Sequence, residues 1–96
     1  MTRFLFFHDE NCIPCGVAKR YFDRMTDTRK KHIEYIESSP NNELVKKYPH
    51  NGVPTLVIID SEGNELERFT GPEKIMWNIK NSFNRYGIVK EENDDT

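Results

Sequence analysis

The chain has 96 residues and a formal net charge of −2. This length suits one folded domain and excludes two domains that each bury a core of their own. Hydrophobic residues make up 35% of the chain, below the roughly 45–50% of apolar residues in an average soluble domain. They are gathered in runs between polar turns, which argues against disorder. No basic stretch is interleaved with aromatic residues, so nucleic acid is not an expected partner.

The first apolar run covers residues 3–7 and ends at His8-Asp9-Glu10, so its apolar part is four residues long. A signal peptide needs an apolar stretch of about 7–15 residues, and a membrane helix needs about 20. We therefore expect a soluble, cytoplasmic protein with no membrane partner. The run itself predicts a strand that is buried on both faces.

Apolar residues recur at offsets of three and four between residues 14 and 25, which is the pattern of an amphipathic helix. Pro14 is tolerated there because the first turn of a helix has no carbonyl partner for the missing N–H. The later predicted elements are a polar link at 26–31, a strand at 32–36, a short helix at 40–48, strands at 55–59 and 65–70, and a helix that starts at Gly71-Pro72 and stops at Gly87.

The predicted order of elements is β-α-β-α-β-β-α. A strand-helix-strand unit closes as a right-handed parallel crossover, whereas the tight turn at Gly63 makes the last two strands an antiparallel hairpin. The sheet is therefore mixed and four-stranded, with helices on both faces, which defines a three-layer α/β fold. We expect one domain over residues 1–88 and a flexible acidic tail over residues 89–96.

Both cysteines of the chain, Cys12 and Cys15, fall at the turn between the first strand and the first helix. In a reducing compartment such a pair serves redox chemistry or metal binding. The unpaired N–H groups at a helix start favour a thiolate at Cys12, and Cys15 comes within its reach one turn later. Asp9 and Glu10 oppose the thiolate and a protonated His8 would favour it, so the sequence leaves the net pKa shift of Cys12 open.

Metal binding is the less favoured use of the cysteine pair. A tetrahedral zinc site needs four ligands, and the chain has no second cysteine pair. The histidines lack the paired spacing of a zinc finger, so each is interpreted as a surface or turn residue: His8, His32 and His50. Two charged runs are interpreted as solvated faces: Arg29-Lys30-Lys31 and Lys46-Lys47.

Cys12-Ile-Pro-Cys15 at a strand-to-helix turn, followed by Gly52-Val53-Pro54-Thr55 at the start of a later strand, resembles the thioredoxin-fold thiol-disulfide oxidoreductases. The resemblance runs over residues 4–86. In that family the residue that matches Pro54 is a cis proline beside the cysteine pair, and the segment around it offers backbone groups to the substrate. Pro14 matches the thioredoxin pattern better than the glutaredoxin one, which implies a reductant with a potential of about −270 mV.

The resemblance implies that reduced Cys12 attacks a substrate disulfide and that Cys15 displaces the reduced product. It assigns catalysis to Cys12, Cys15 and Pro54, and substrate binding to Asn11, Ile13, Pro14, Val53 and Gly71. It implies no cofactor beyond the redox-active disulfide and no metal. The implied partners of the monomer are disulfide-containing proteins and a recycling reductase, in electron transport and cell redox homeostasis.

Several residues depart from the family pattern. Asn11 and Ile13 stand where thioredoxins have tryptophan and glycine, Phe6 takes the place of a buried aspartate, and Tyr35 that of its basic companion. Glutaredoxins bind glutathione with a Gly-Gly that is followed by an acidic pair, whereas this chain has Gly71-Pro72. The resemblance therefore does not imply glutathione dependence. The chain also starts at the first central strand, as in a minimal member of the family.

These departures leave a second function open. The fold could serve as a binding module that docks a protein partner through the groove around Ile13, Val53 and Gly71 without redox turnover. A weaker third reading is a peroxide sensor that uses the same thiols. A single alanine, together with many Asn and Lys, is typical of an AT-rich genome, viral or bacterial. For a viral chain, the resemblance implies ribonucleotide reductase as an electron acceptor in the host cytoplasm.

Overall fold

The computed structural model describes residues 2–88, and the tail predicted at 89–96 lies outside these residues. Within them the chain forms four strands and four helices in an order that differs from the predicted one by a single added helix, α2. The elements are β1 (Arg3–His8), α1 (Ile13–Asp23), α2 (Asp27–Lys30), β2 (Ile33–Glu37), α3 (Glu43–Lys47), β3 (Thr55–Ile59), β4 (Glu65–Thr70) and α4 (Pro72–Arg85).

The strands form one mixed sheet in the order β2-β1-β3-β4. β1 pairs with β2 in parallel and with β3 antiparallel, and β3 and β4 form the antiparallel hairpin. This confirms the predicted crossover, hairpin and mixed four-stranded sheet. All five residues of β3 are buried, whereas β4 has none that is fully buried, as befits an edge strand.

The side chains of β1 alternate between two cores, one on each face of the sheet. Phe4 and Phe6 point to the face covered by α1 and α4, where Phe22 and Phe83 are buried beside them. Leu5 and Phe7 point to the opposite face, where they pack with Tyr48 and with the partly buried apolar residues of α3. Helices therefore cover both faces, which confirms the three-layer α/β prediction.

The first helix begins one residue before the predicted start and ends two residues before the predicted end. Cys12 is its N-cap, and Pro14 lies in its first turn. At the other end, the N–H of Met25 bonds to the carbonyl of Phe22 at 2.9 Å, which tightens the last turn and ends the helix. Met25 still packs against the core, so the apolar periodicity continues past the last residue of the helix.

The segments around β2 correct two further predictions. The polar link at 26–31 contains the short helix α2, in which the N–H groups of Arg29 and Lys30 bond to the carbonyl of Thr26. The helix predicted at 40–48 covers only Glu43–Lys47, because the side chain of Asn42 caps it by accepting from the N–H of Leu44 at 2.8 Å. Residue 40 lies in the preceding turn.

The charged run at 29–31 is not a solvated face throughout, since Arg29 is only 5% exposed. No helix within residues 2–88 is long and apolar enough to cross a membrane. The sheet and its helices bring the carboxyl end of β1, the start of β3 and the start of α4 to one end of the molecule. The two sequence motifs of interest lie at this end.

Candidate active site

The turn between β1 and α1 holds the two cysteines in a fixed geometry. The N–H of Cys12 bonds to the carbonyl of Asp9 at 3.1 Å, and the N–H of Asn11 bonds to the Asp9 carboxylate at 3.2 Å. Cys12 and Cys15 form a disulfide with their Cα atoms 5.2 Å apart. The pair therefore closes the first turn of α1, where the sequence placed it.

The two sulfur atoms differ in their surroundings. Cys15 is fully buried, with 0% of its surface exposed, whereas Cys12 is half-buried. The Sγ atom of Cys12 accepts a hydrogen bond from the N–H of Cys15 at 3.1 Å. This N–H is one of the unpaired donors at a helix start, so it stabilises negative charge on Cys12 Sγ when the disulfide opens.

The loop before β3 packs against the cysteine pair. The Val53–Pro54 peptide bond is cis, and the carbonyl oxygen of Val53 lies 3.8 Å from Cys12 Sγ. Pro54 is buried, and its carbonyl accepts from the N–H of Gly71 at 2.9 Å. Gly71 has φ = +96°, a conformation that glycine adopts without strain. These contacts link three chain segments around one disulfide.

The predicted substrate-binding residues fall into two groups. The carbonyl of Val53 lies close to Cys12 Sγ, and Gly71 bonds to the carbonyl of Pro54 in the same loop. Asn11, Ile13 and Pro14 are exposed in the turn and first helical turn around Cys12. Ile13 is 81% exposed, which leaves its apolar side chain open to contact with another molecule.

Phe6 and Tyr35 replace polar residues of the family pattern, and the structure brings their side chains together. Phe6 is fully buried, and its ring centre lies 5.5 Å from that of Tyr35. Tyr35 is 46% exposed. Burial, with a smaller contribution from the charge of Asp23, raises the pKa of the Tyr35 phenol above its ordinary value. Neither side chain carries a charge at neutral pH.

His8 lies at the same end of the sheet as the cysteine pair, although the predicted site residues did not include it. It ends β1, and it is half-buried rather than a surface or turn residue as the sequence suggested. Its ring lies 6.0 Å from the ring of Phe6 and 5.9 Å from that of Tyr35, measured between centres. The alternation of β1 carried a usable signal, because His8 must share the sheet face of Phe4 and Phe6.

His50 also lies near this end of the sheet, and its contacts are structural. One ring nitrogen of His50 lies 2.9 Å from the hydroxyl of Ser38, and the other lies 3.1 Å from the carbonyl of Tyr48. These contacts fix the loop that leads to Pro54. In the part of the chain from residue 2 to residue 88, no group of three or more His, Cys, Asp or Glu residues could hold a metal ion.

Comparison with known proteins gives similarity in structure only. No protein-family model and no curated protein matches the sequence. Among solved structures, the chain is similar to the Malassezia sympodialis thioredoxin Mala s 13 (TM-score 0.71, 14% identity, 88% of this chain and 75% of that one). It is also similar to Fasciola hepatica thioredoxin, with a TM-score of 0.68 and 22% identity over 88% of this chain and 79% of that one. A third similar structure is Chlamydomonas reinhardtii thioredoxin f2, with a TM-score of 0.69 and 15% identity over 93% of this chain and 82% of that one.

The chain therefore has the thioredoxin fold, as the sequence resemblance implied. It carries a Cys-x-x-Cys disulfide at the start of α1. Thioredoxins need no cofactor beyond such a disulfide. At identities of 14–22% the likeness extends to the fold alone.

Proposed function

We propose that this protein is a thiol-disulfide oxidoreductase that reduces protein disulfides in the manner of a thioredoxin. The observation that carries the proposal is the unequal placing of the two sulfurs. Cys12 is partly exposed and its Sγ accepts a hydrogen bond from an N–H of the helix start, whereas Cys15 is fully buried. An accessible stabilised thiolate is a nucleophile, and a buried neighbour one turn away is a resolving thiol.

The reaction proceeds in two exchange steps. In the first, the thiolate of Cys12 attacks a substrate disulfide, a mixed disulfide forms, and the first substrate sulfur leaves as a thiolate that takes up a proton. In the second, Cys15 attacks Cys12 Sγ, and the second substrate sulfur leaves with the electron pair of the broken bond. The protein dithiol is oxidised by two electrons, and the substrate disulfide is reduced by two.

The exposed surface around Cys12 binds the substrate in this proposal. Ile13 supplies an apolar contact on one side of the disulfide, with Asn11 and Pro14 next to it. The loop at Val53 and Pro54, together with Gly71, forms the other side. The carbonyl of Val53 lies 3.8 Å from Cys12 Sγ, so a chain bound along this loop would hold its disulfide close to the nucleophile.

Trapping the mixed disulfide tests the proposal. The Cys15→Ser variant, incubated with an oxidised peptide, is expected to accumulate a covalent adduct at Cys12 that mass spectrometry detects. The matched Cys12→Ser variant is expected to form none, because its remaining thiol is buried. A folded Cys15→Ser protein that forms no adduct with several disulfides would contradict the mechanism. Partner binding that survives replacement of both cysteines by serine would instead favour the binding module.

The cellular setting follows from the same proposal. A reducing pair of this kind acts on disulfide-containing proteins in the cytoplasm and needs a reductase to recharge it. Ribonucleotide reductase is the electron acceptor that we propose for a chain of viral origin. We further propose that residues 1–88 act as one monomeric domain and that residues 89–96 form an appended acidic tail.

A further inference from the structure

One buried polar atom near the disulfide lacks a partner. Among the side chains of residues 2–88, Nδ1 of His8 is buried without any hydrogen bond. Buried polar atoms are nearly always paired, so an unpaired one needs an explanation, and a redox or catalytic role is one such explanation. The aromatic rings of Phe6 and Tyr35 flank the imidazole and offer no conventional donor or acceptor to Nδ1.

The strand and helix geometry places His8 near Cys15. The ring of Phe6 in β1 lies 4.9 Å from that of Phe22 in α1. From this contact, His8 is two residues further along β1, about 6.6 Å towards the cysteine end. Cys15 is seven residues back along α1, about 10 Å in the same direction, because β1 and α1 run in opposite senses.

Lys19 gives independent support for this placement. It follows Cys15 by one helical turn, on the same side of α1. Its Nζ atom lies 5.9 Å from the centre of the Tyr35 ring, and its charge acts on His8. The side of α1 that carries Cys15 and Lys19 therefore lies next to His8.

The thiol of Cys15 needs both a hydrogen-bond partner and an acceptor for its proton. It is fully buried, so its thiol in the dithiol form is a buried donor without water around it. It must also lose its proton before it can attack Cys12 Sγ. Phe6, which stands where the family pattern has a carboxylate, cannot accept that proton.

We propose that His8 accepts the proton of Cys15, an inference that rests on the proposed oxidoreductase function. In the dithiol form, the Sγ–H of Cys15 donates to Nδ1 of His8, and each group supplies the partner that the other lacks. During the second exchange step Nδ1 takes this proton as Cys15 Sγ bonds to Cys12 Sγ. The Cys12–substrate bond breaks, its electron pair leaves on the substrate sulfur, and the imidazolium returns its proton to the solvent or to that sulfur.

The charge state of His8 suits this role. Burial lowers the pKa of the His8 imidazole, and the charge of Lys19 lowers it further, while Glu37 and Asp9 raise it in part. Tyr35 also faces His8 and stays neutral, because burial raises its pKa. The net lowering keeps the imidazole neutral at pH 7, the form that can accept a proton.

Rapid mixing with 5,5′-dithiobis(2-nitrobenzoate) separates the two exchange steps. One coloured thiolate is released when Cys12 attacks, and a second when Cys15 resolves the mixed disulfide. We expect His8→Gln to change the first rate by less than about twofold. The same variant should slow the second rate by about 100-fold at pH 7, which is the lower end of the rate enhancement that general base catalysis gives. In the wild type the second rate falls as His8 becomes protonated on acidification, and His8→Gln removes that titration.

His32→Gln is the matched control, since His32 precedes β2 at the other end of the sheet, and both its rates should equal those of the wild type. If folded His8→Gln shows a normal first phase and an unchanged second phase, the proposed role of His8 is overturned while the oxidoreductase function stands. Absence of the first coloured phase in the wild type would instead contradict the oxidoreductase function.

A second measurement keeps the proposal testable if His8→Gln does not fold. In nitrogen-15 spectra of the reduced proteins, the Nδ1 resonance of His8 should differ between the wild type and Cys15→Ala, because only the wild type has the thiol that donates to it. Identical resonances would overturn the proposal.

Discussion

Arg29 is a charged side chain at the edge of the core. Its Nη2 donates to the side-chain oxygen of Asn84 at 2.7 Å, and its Nε donates to the carbonyl of Ile88 at 3.3 Å. Its guanidinium carbon lies 5.3 Å from the centre of the Phe83 ring. The residue thus ties α2 to the end of α4, and its hydrogen bonds offset the cost of burying a charge.

Replacement of Arg29 by methionine is expected to destabilise the protein by about 2 kcal/mol, because Asn84 and the Ile88 carbonyl lose a charged donor. The free energy of unfolding in urea measures this effect. Lys31→Met is the control, since Lys31 is exposed, and it should change stability by less than about 0.5 kcal/mol. An Arg29 variant as stable as this control would show that the buried contacts contribute nothing.

At the scale of elements, one carboxylate joins the edge strand to the last helix. Glu67 in β4 accepts from Ser82 Oγ at 3.1 Å and from Tyr86 Oη at 2.5 Å, and it forms an ion pair with Arg85. Burial opposes ionisation of Glu67, but the three hydrogen bonds outweigh it and hold its pKa below the ordinary value of 4.5. Ionised Glu67 therefore stabilises the packing of β4 against α4.

Because the pKa of Glu67 is lower in the folded than in the unfolded chain, its contribution is present above about pH 4.5 and is lost as the pH falls through the folded value. Glu67→Gln is expected to lose about 1–2 kcal/mol at pH 7 and much less at pH 3. Urea unfolding at both pH values measures the difference. Glu62 is exposed, so Glu62→Gln is the control and should change stability by less than about 0.5 kcal/mol. An equal loss at both pH values in Glu67→Gln would contradict the role of ionised Glu67.

The turn between β3 and β4 requires glycine at one position. Gly63 has φ = +90°, and a Cβ added there would lie 2.8 Å from Nζ of Lys47. Gly63→Ala is expected to destabilise by about 1–2 kcal/mol, the cost of a left-handed conformation for an L-residue.

Gly16→Ala is the matched control for this change. Gly16 lies within α1, and an added Cβ would make only an ordinary contact, 3.7 Å from a flexible arginine. Since alanine favours a helix over glycine, this variant should gain about 0.5–1 kcal/mol. Thermal unfolding of both variants measures these two changes in stability, which should have opposite signs. A stabilised Gly63→Ala protein would mean that the turn relaxes to another conformation.

At the scale of the whole molecule, the disulfide contributes little to the stability of the fold. It closes a loop between residues only three apart, for which the chain-entropy model gives about 2 kcal/mol. Most of the stability must come from the two cores on either side of β1.

We therefore expect Cys12→Ser/Cys15→Ser to remain folded, with a free energy of unfolding within about 2–3 kcal/mol of that of the oxidised protein. Urea unfolding followed by circular dichroism measures this difference. Unfolding of the double variant under native conditions would show that the disulfide is structural rather than a redox pair.

The fold could be predicted from the sequence because β1 and β3 contain continuous apolar runs, and because the strand-helix-strand crossover and the hairpin turn each allow one simple topology. The cysteine pair and the Pro54 loop were found for a similar reason, since each is a local motif. Arg29 and His8 were misplaced because burial of a polar residue depends on which helix covers it. The short α2 was missed because four polar residues carry no apolar periodicity.

The full burial of Cys15 has a consequence for oxidative damage. Only Cys12 is open to peroxide in the reduced protein, and oxidation there first gives a sulfenic acid. Cys15, one helical turn away, condenses with that sulfenic acid to a disulfide and releases water. The pair therefore returns from such an encounter to its ordinary oxidised form, before the irreversible sulfinic and sulfonic acids are reached.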